Sequence, residues 1–302
     1  MRQQIIDLIE KRAQQCVSSS RISIRTCEKI EKKKESMLSR NAEMIKVKAK
    51  GRMDHIRKLE EEKEAVTYRV HFQYLIQQGS HIYMEEEVEK RKAEFYKGIL
   101  VDDMEIMPFQ VETINESFKT SMEEEWGEER GGGFGYNRLK AVQYAERWWN
   151  DHNPTFKKFD VDCTNYISQC LHAGGAPMRG YPNRGKGWWM RNDNWSFSWS
   201  VANSLRIYLP ASTTGLRAKE VSSPDQLFLG DVICYDFQGD GRYDHNTIVT
   251  GKDANGMPLV NAHTTNSRMR YWAYEDSTAY TPNIKYKFFT IVSDDSSASK
   301  SI

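Results

Sequence analysis

Long apolar runs are missing: no stretch of about 18 apolar residues occurs, so no transmembrane helix is expected. The amino terminus, MRQQIIDLIEKRAQQ, is interrupted by charge every few residues and lacks the apolar centre of a secretory signal. The expected location is therefore cytoplasmic, and extracellular or cell-wall only if the amino terminus is processed. An excess of either charge is missing too. Lys and Arg number 43 against 42 Asp and Glu, so no global field points to nucleic acid or to an anionic membrane. Cysteine is scarce, with five residues at positions 16, 27, 163, 170 and 234. An odd number without framework spacing argues for free thiols in a reducing compartment. Without a CxxC pair or an HExxH motif a zinc site has no support, and no GKS or GKT follows Gly131–Gly133 to make a phosphate loop. No metal or organic cofactor is expected.

What is present falls into two parts, and 302 residues are enough for two ordinary domains. In the first (1–109), Ile5, Leu8, Ile9 and Ala13 recur at helical spacing, and a second, charged helix covers 24–40. Val66, Tyr68, Val70, Phe72, Tyr74 and Ile76 alternate with mostly polar residues, the period-two signature of a half-buried strand. Gln78-Gly79-Ser80 is a turn, HIYMEEEVEKRKAEFYKG fits a strand or a helix, and 98–107 is extended. Helix followed by antiparallel strands resembles cystatin-like or NTF2-like architecture. The runs EEEK and EEEVEK are expected to be solvent faces, and His55, His71 and His81 solvated or hydrogen-bonded. This part carries no catalytic constellation; its expected role is binding a protein partner or self-association. Residues 110–135, with SMEEEWGEERGGGFG, have linker composition.

The second part (136–294) opens with YNRLKAVQYAERWW, whose Leu139, Val142, Tyr144 or Ala145, and Trp148 or Trp149 form an apolar stripe. FDVDCTNYISQCLHAGG follows, with Asp162 placed to cap a helix and Gly174-Gly175 to stop it. From Leu227 a β meander runs through GDVICYDF, YDHNTIVTG and MPLVNAHT, and IKYKFFTIV closes the sheet. The tail 295–302 is expected to be disordered. The fold class is α+β.

Cys163 falls in the first turn of its helix, beside unpaired backbone N–H groups and the positive end of the helix dipole. Both favour thiolate over thiol, lowering a free cysteine from near about 8.5, and the same N–H groups can hold an oxyanion. Cys170, seven residues on, is core packing. Asp236, Asp240 and Asp244 do not fit an EF-hand loop. Among the tryptophans, Trp199 is core, whereas Trp188 and Trp189, in a Gly- and Asn-rich stretch, are candidates either for core or for a substrate-binding groove wall.

YNRLKAVQYA, DCTNYISQCLHAGGAPM, SFSWS, GDVICYDF, DHNTIVTG and NAHTT, in that order, make 136–265 resemble the putative amidase domain family, similar in fold to the NlpC/P60 and CHAP papain-like cysteine hydrolases. The resemblance implies Cys163 as nucleophile, His245 as general base at the start of a strand, and a third polar residue that orients the imidazole. His263 is the first choice for that residue and Asn261 the alternative, since the two share a strand face. His263 lies opposite His245 if 252 pairs with 256 around a three-residue connection, Asp253-Ala254-Asn255, with Gly256 left-handed. The implied function is hydrolysis of a peptide or cell-wall amide. The alternatives are acyl transfer by the same dyad, or a non-catalytic interaction protein on a papain-like scaffold.

Overall fold

A computed structural model describes residues 1–18, 27–106 and 134–294. The expected linker up to residue 133, and the tail, lie outside the described residues. The fold is mixed α and β with antiparallel strands. It divides into two compact units, which are not contiguous in sequence: Met1–Met107 with Gly251–Asn261 and Thr265–Pro282, and Pro108–Thr250 with Ala262–Thr264 and Asn283–Ile302.

In the first unit, helices α1 (Arg2–Val17) and α2 (Glu28–Ser39) precede strands β1 (Glu43–Glu60), β2 (Lys63–Gln78), β3 (His81–Tyr96) and β4 (Ile99–Glu105). The alternation read from β2 is observed: Val66, Tyr68, Val70, Phe72, Tyr74 and Ile76 are all buried. At about 1.5–3 kcal/mol for each buried large apolar side chain, a one-residue slip that turned all six outward is prohibitive. β3 resolves the helix-or-strand ambiguity in favour of strand, pairing along its whole length with β2 from Lys63↔Tyr96 to Gln78↔His81.

That pairing overturns the solvent-face reading of EEEVEK. Glu85, Glu87 and Glu89 alternate onto the inner face of β3 and are almost wholly buried. Helices supply their counter-ions. Arg12 binds Glu89 through both terminal nitrogens, at 2.9 and 3.2 Å. Lys29 meets Glu87, Glu89 (2.9 Å) and Glu105 (3.1 Å), and Lys33 meets Glu85 and Asp276 (2.7 Å). Arg91 bridges Glu89 and Asp103, and Arg270 pairs with Asp276. His71, expected to be solvated or hydrogen-bonded, meets Glu86 at 2.8 Å. The unit is completed by β10 (Pro258–Ala262), nearly all of which belongs here, and β11 (Ser267–Tyr271), which pairs with β3 through Ser267↔Glu87 and Arg268↔Glu86.

The second unit packs α3 (Arg138–Trp148), α4 (Cys163–Ala173), α5 (Phe197–Ser200) and α6 (Ala202–Ala211) with a sheet of β7 (Ala218–Val221), β8 (Val232–Asp236), β9 (His245–Lys252) and β12 (Lys285–Ile291), in the order β9-β8-β12-β7. A small hairpin joins β5 (Met190–Arg191) and β6 (Asn194–Trp195). The Asn137 side chain caps α3 by accepting from the Lys140 N–H. The buried face of α3 is Ala141 and Ala145; Leu139, expected in the stripe, is exposed. α4 is buried from Cys163 through Leu171, which requires that its polar side chains find partners inside. Asn165 accepts from Trp199 Nε1, Ser168 accepts from Trp188 Nε1 and donates to the Trp199 carbonyl, and Tyr166 donates to the Ala145 carbonyl. Its stop is as expected: Gly175 has φ +98°, and a Cβ on Gly174 would lie 2.4 Å from the Tyr136 ring.

Candidate active site

The site is built on the first turn of α4, where Cys163 is the first helical residue. Asp162 is the cap by position but makes no side-chain cap bond to the helix. Its Oδ1 accepts from Asn165 Nδ2 at 2.8 Å and from the Phe159 N–H at 3.3 Å, and its Oδ2 meets His263 Nδ1 at 2.9 Å. The other ring nitrogen of His263 lies 2.7 Å from the Trp148 carbonyl oxygen. Both partners are acceptors, so the two bonds are made together only by the doubly protonated ring. The imidazole also stacks on Tyr166, with centroids 3.9 Å apart.

These bonds correct the role expected of His263. Its two nitrogens serve Asp162 and Trp148, not the imidazole of His245. The turn explains why. Asp253 N–H bonds to the Met257 carbonyl and Gly256 N–H to that of Asp253, so the connecting loop is Ala254-Asn255-Gly256, one residue later than expected. Gly256 does take the left-handed conformation, φ +77°. Carried along a regular ladder, this register sets His263 opposite Thr247 instead of His245. The alternative, Asn261, accepts from the Met269 N–H at 2.8 Å through Oδ1.

His245 opens β9, paired across the sheet with Tyr235. Its ring lies among Tyr235 and Phe237, at centroid distances of 5.7 and 6.2 Å, and is 1% exposed. The Cys163 sulfur lies 3.7 Å from the Thr164 hydroxyl oxygen, and the backbone N–H of Asn246, the residue after His245, and the Thr264 hydroxyl both act to lower its thiol. Thr164 Oγ1 in turn accepts from Asn246 Nδ2 at 3.2 Å. The first turn of α4 and the first residues of β9 are thus tied together through the sulfur and its neighbour.

Cys163 is itself only 2% exposed. Burial pushes its thiol up; the hydrogen bonds from Thr164, Asn246 and Thr264 oppose that, Asp162 adds to it, and the net direction is upward. This reverses the thiolate expected from the helix position, because loss of water outweighs what the helix mouth and the hydrogen bonds give back. The expected oxyanion donors are also partly engaged: Thr264 Oγ1 accepts the N–H groups of both Asp162 and Cys163, each at 3.0 Å. The Cys163 thiol is thus buried and held toward its neutral form.

Trp188 and Trp189 are core, 0% and 1% exposed. Their indole N–H groups are used internally, that of Trp188 on Ser168 and that of Trp189 on the Asn183 and Lys186 carbonyls. With no face open to solvent, neither walls a groove in this state. Cys170 is wholly buried and all five cysteines are free thiols. Asp236 holds a turn, accepting from the N–H groups of Gly239, Asp240 and Gly241. Sequence reasoning missed Thr264 and the Asp162–His263 pair. The signal for Thr264 was its place in NAHTT next to His263, since a threonine in a turn has no periodicity to mark it.

Comparison with known proteins places the chain in a family. A family model described as a putative amidase domain matches residues 135–289. The chain belongs to that family. A Bacillus subtilis (strain 168) relative, "Uncharacterized protein YhbB", is 52% identical over 268 residues, covering 88% of this chain and 86% of its own length. A second from the same organism, "Uncharacterized protein YjcM", is 35% identical over 141 residues, covering 44% of this chain and 32% of that one. No solved structure matches. Membership of an amidase family points to amide hydrolysis in general, and the matched residues take in all of α3 and α4 and both His245 and His263. Among the described residues, no helix is long and apolar enough to cross a membrane.

Proposed function

We propose that this protein hydrolyses amide bonds with Cys163 as nucleophile and His245 as proton acceptor, on a papain-like scaffold of the NlpC/P60 and CHAP type. What supports the reading is the link between the Cys163 turn and the residue that follows His245: Thr164 Oγ1 lies 3.7 Å from the Cys163 sulfur and accepts from Asn246 Nδ2 at 3.2 Å. Because the resting thiol is neutral, the proton moves during attack. The S–H proton passes to His245 while sulfur bonds to the carbonyl carbon and the carbonyl π pair moves to oxygen. The C–N bond then breaks, the imidazolium proton goes to the departing nitrogen, and a thioester remains. Water attacks it, giving one proton to His245, which returns it to the leaving sulfur. The products are a carboxylic acid and an amine, and no cofactor takes part. The substrate class is a peptide or cell-wall amide. The amino-terminal unit, which has no part in this chemistry, is assigned to a protein partner or to self-association.

The test is hydrolysis of defined peptides and muropeptides by the full chain. Wild type should release amine, Cys163→Ala should lose at least a thousandfold in kcat/KM, and the thioester should be trapped on Cys163 by mass spectrometry. Undiminished turnover by Cys163→Ala would reject the mechanism. A second reading, a non-catalytic interaction protein, is favoured by one observation, the near-complete burial of both Cys163 and His245. Absence of turnover on every substrate, with Cys163 unreactive in the folded chain, would select it.

A further inference from the structure

Thr264 is placed in a way that its sequence neighbours do not explain. It is a β-branched residue with φ +83°, a conformation such residues seldom adopt and one that costs about 1–3 kcal/mol. Strain of that size persists only where surrounding contacts hold it. Here the contacts are the two hydrogen bonds described above, donated by the Asp162 and Cys163 N–H groups to Thr264 Oγ1, both 3.0 Å. A hydroxyl oxygen has two acceptor lone pairs and one proton. With both lone pairs occupied by N–H donors, only the proton is left to place, and the sulfur belongs to the residue whose own N–H is 3.0 Å from that oxygen. His263, the preceding residue, anchors the turn from the other side by its bonds to Asp162 and Trp148.

We propose that Thr264 is a further catalytic residue of the Cys163 site, fixing the first turn of α4 through its oxygen and directing its hydroxyl proton to the sulfur that carries the reaction. One threonine thereby does two things: it ties up the helix-mouth amides that would otherwise be unpaired, and it gives the sulfur a hydrogen-bond donor that strengthens as negative charge forms there. The effect of the Thr264 hydroxyl on the thiol is in the corresponding direction, downward against burial. The other titratable groups that bear on the sulfur are Asp162 on its own helix cap and Cys234 on β8, with His263 in contact with Asp162. This role rests on Cys163 being the nucleophile, but the test below does not need turnover.

The experiment is the rate of iodoacetamide alkylation of Cys163 against pH in the full chain, read at its own peptide by mass spectrometry so that the other four cysteines need no substitution. Thr264→Val should move the alkylation midpoint upward by about one pH unit, roughly a tenfold slower reaction at fixed pH below it. Thr264→Ser, which keeps the hydroxyl, should return the rate to within about twofold of wild type. Should the valine variant fail to fold, Thr264→Gly relieves the positive φ and deletes the same hydroxyl, with the same upward shift expected. A folded Val or Gly variant with an unmoved midpoint overturns the assignment, as does a Ser variant no better than Val. If the shift appears while Cys163→Ala retains full hydrolysis, Thr264 governs the thiol but its catalytic role falls together with the Cys163 mechanism.

Discussion

Both units bury polar chemistry, by opposite means. In the first unit, six carboxylates (Glu85, Glu87, Glu89, Asp103, Glu105 and Asp276) face five cations (Arg12, Lys29, Lys33, Arg91 and Arg270) in an ionic lattice between helices and strands. The acid surplus falls on Glu105, which burial and its carboxylate neighbours push up. At the second unit's site, a thiol, two threonine hydroxyls and backbone amides meet, with the Asp162–His263 hydrogen bond beside them. The lesson is that dense buried charge is not in itself a sign of chemistry. The oxygens of Glu87, Glu89 and Glu105 lie close enough together to hold a metal ion, but the Lys29 ammonium reaches all three carboxylates and does an ion's work. A catalytic pocket needs the reverse, a nucleophile whose proton has somewhere to go and whose surroundings leave it short of full compensation.

Removing the ammonium tests the comparison most severely. Lys29→Met would leave three carboxylates around an apolar side chain, and breaking a buried ionic group in this way costs about 3–5 kcal/mol. Urea unfolding should show that loss. Alkylation of Cys163 in the native baseline should be unchanged if the lattice is purely structural. A variant of near wild-type stability would show that the lattice is dispensable, and the contrast between the units would lose its basis.

Acid should separate the two units next. Glu86 is held down to about 2, chiefly by His71 and also by Gln73 and Arg268, against an ordinary value of 4.5. Burial would raise Glu89 and Asp276, but their cations outweigh it and both titrate below the ordinary range. Folded values below unfolded ones mean stability that is fully present above the ordinary carboxylate range and lost as pH falls through the folded values. In the second unit Asp231 and Asp244 are pushed upward by burial, so acidification relieves a cost there. The strand signal in circular dichroism should therefore decline below about pH 4 while emission from Trp188, Trp189 and Trp199 still reports a folded second unit. Emission changing first would break the contrast.

How much of this was legible in sequence differs between the units for a physical reason. The β2 alternation could be read because each side chain's fate is set by its own polarity. EEEVEK could not, since its burial depends on Arg12, Lys29 and Lys33, which lie 52 to 77 residues away for the pairs Lys33–Glu85 and Arg12–Glu89. Local charge predicts a solvent face unless distant cations intervene. At the site, the helix stop at Gly174-Gly175 and the first-turn position of Cys163 followed from capping chemistry. The direction of its titration did not, because desolvation is a property of the finished packing. The partner of His263 turned on a loop placed one residue later than expected, a shift that changes which residues face one another without moving His263 to the other face.

The smallest expected effect sharpens what became of the tryptophans. A groove wall and a core ring respond differently when only the indole N–H is removed. Trp188→Phe keeps an aromatic body in the core but takes away the donor that Trp188 Nε1 gives to Ser168 Oγ at 2.9 Å. Ser168 keeps its own bond to the Trp199 carbonyl, so one buried acceptor loses its partner and some volume is left unfilled. That combination should cost about 1–3 kcal/mol, visible in the unfolding midpoint. A ring that touches no substrate should leave KM where it was, provided the assays are made well below the lowered midpoint. A raised KM at unchanged stability would return Trp188 to the substrate and imply that the cover over Cys163 opens on the side where that ring lies.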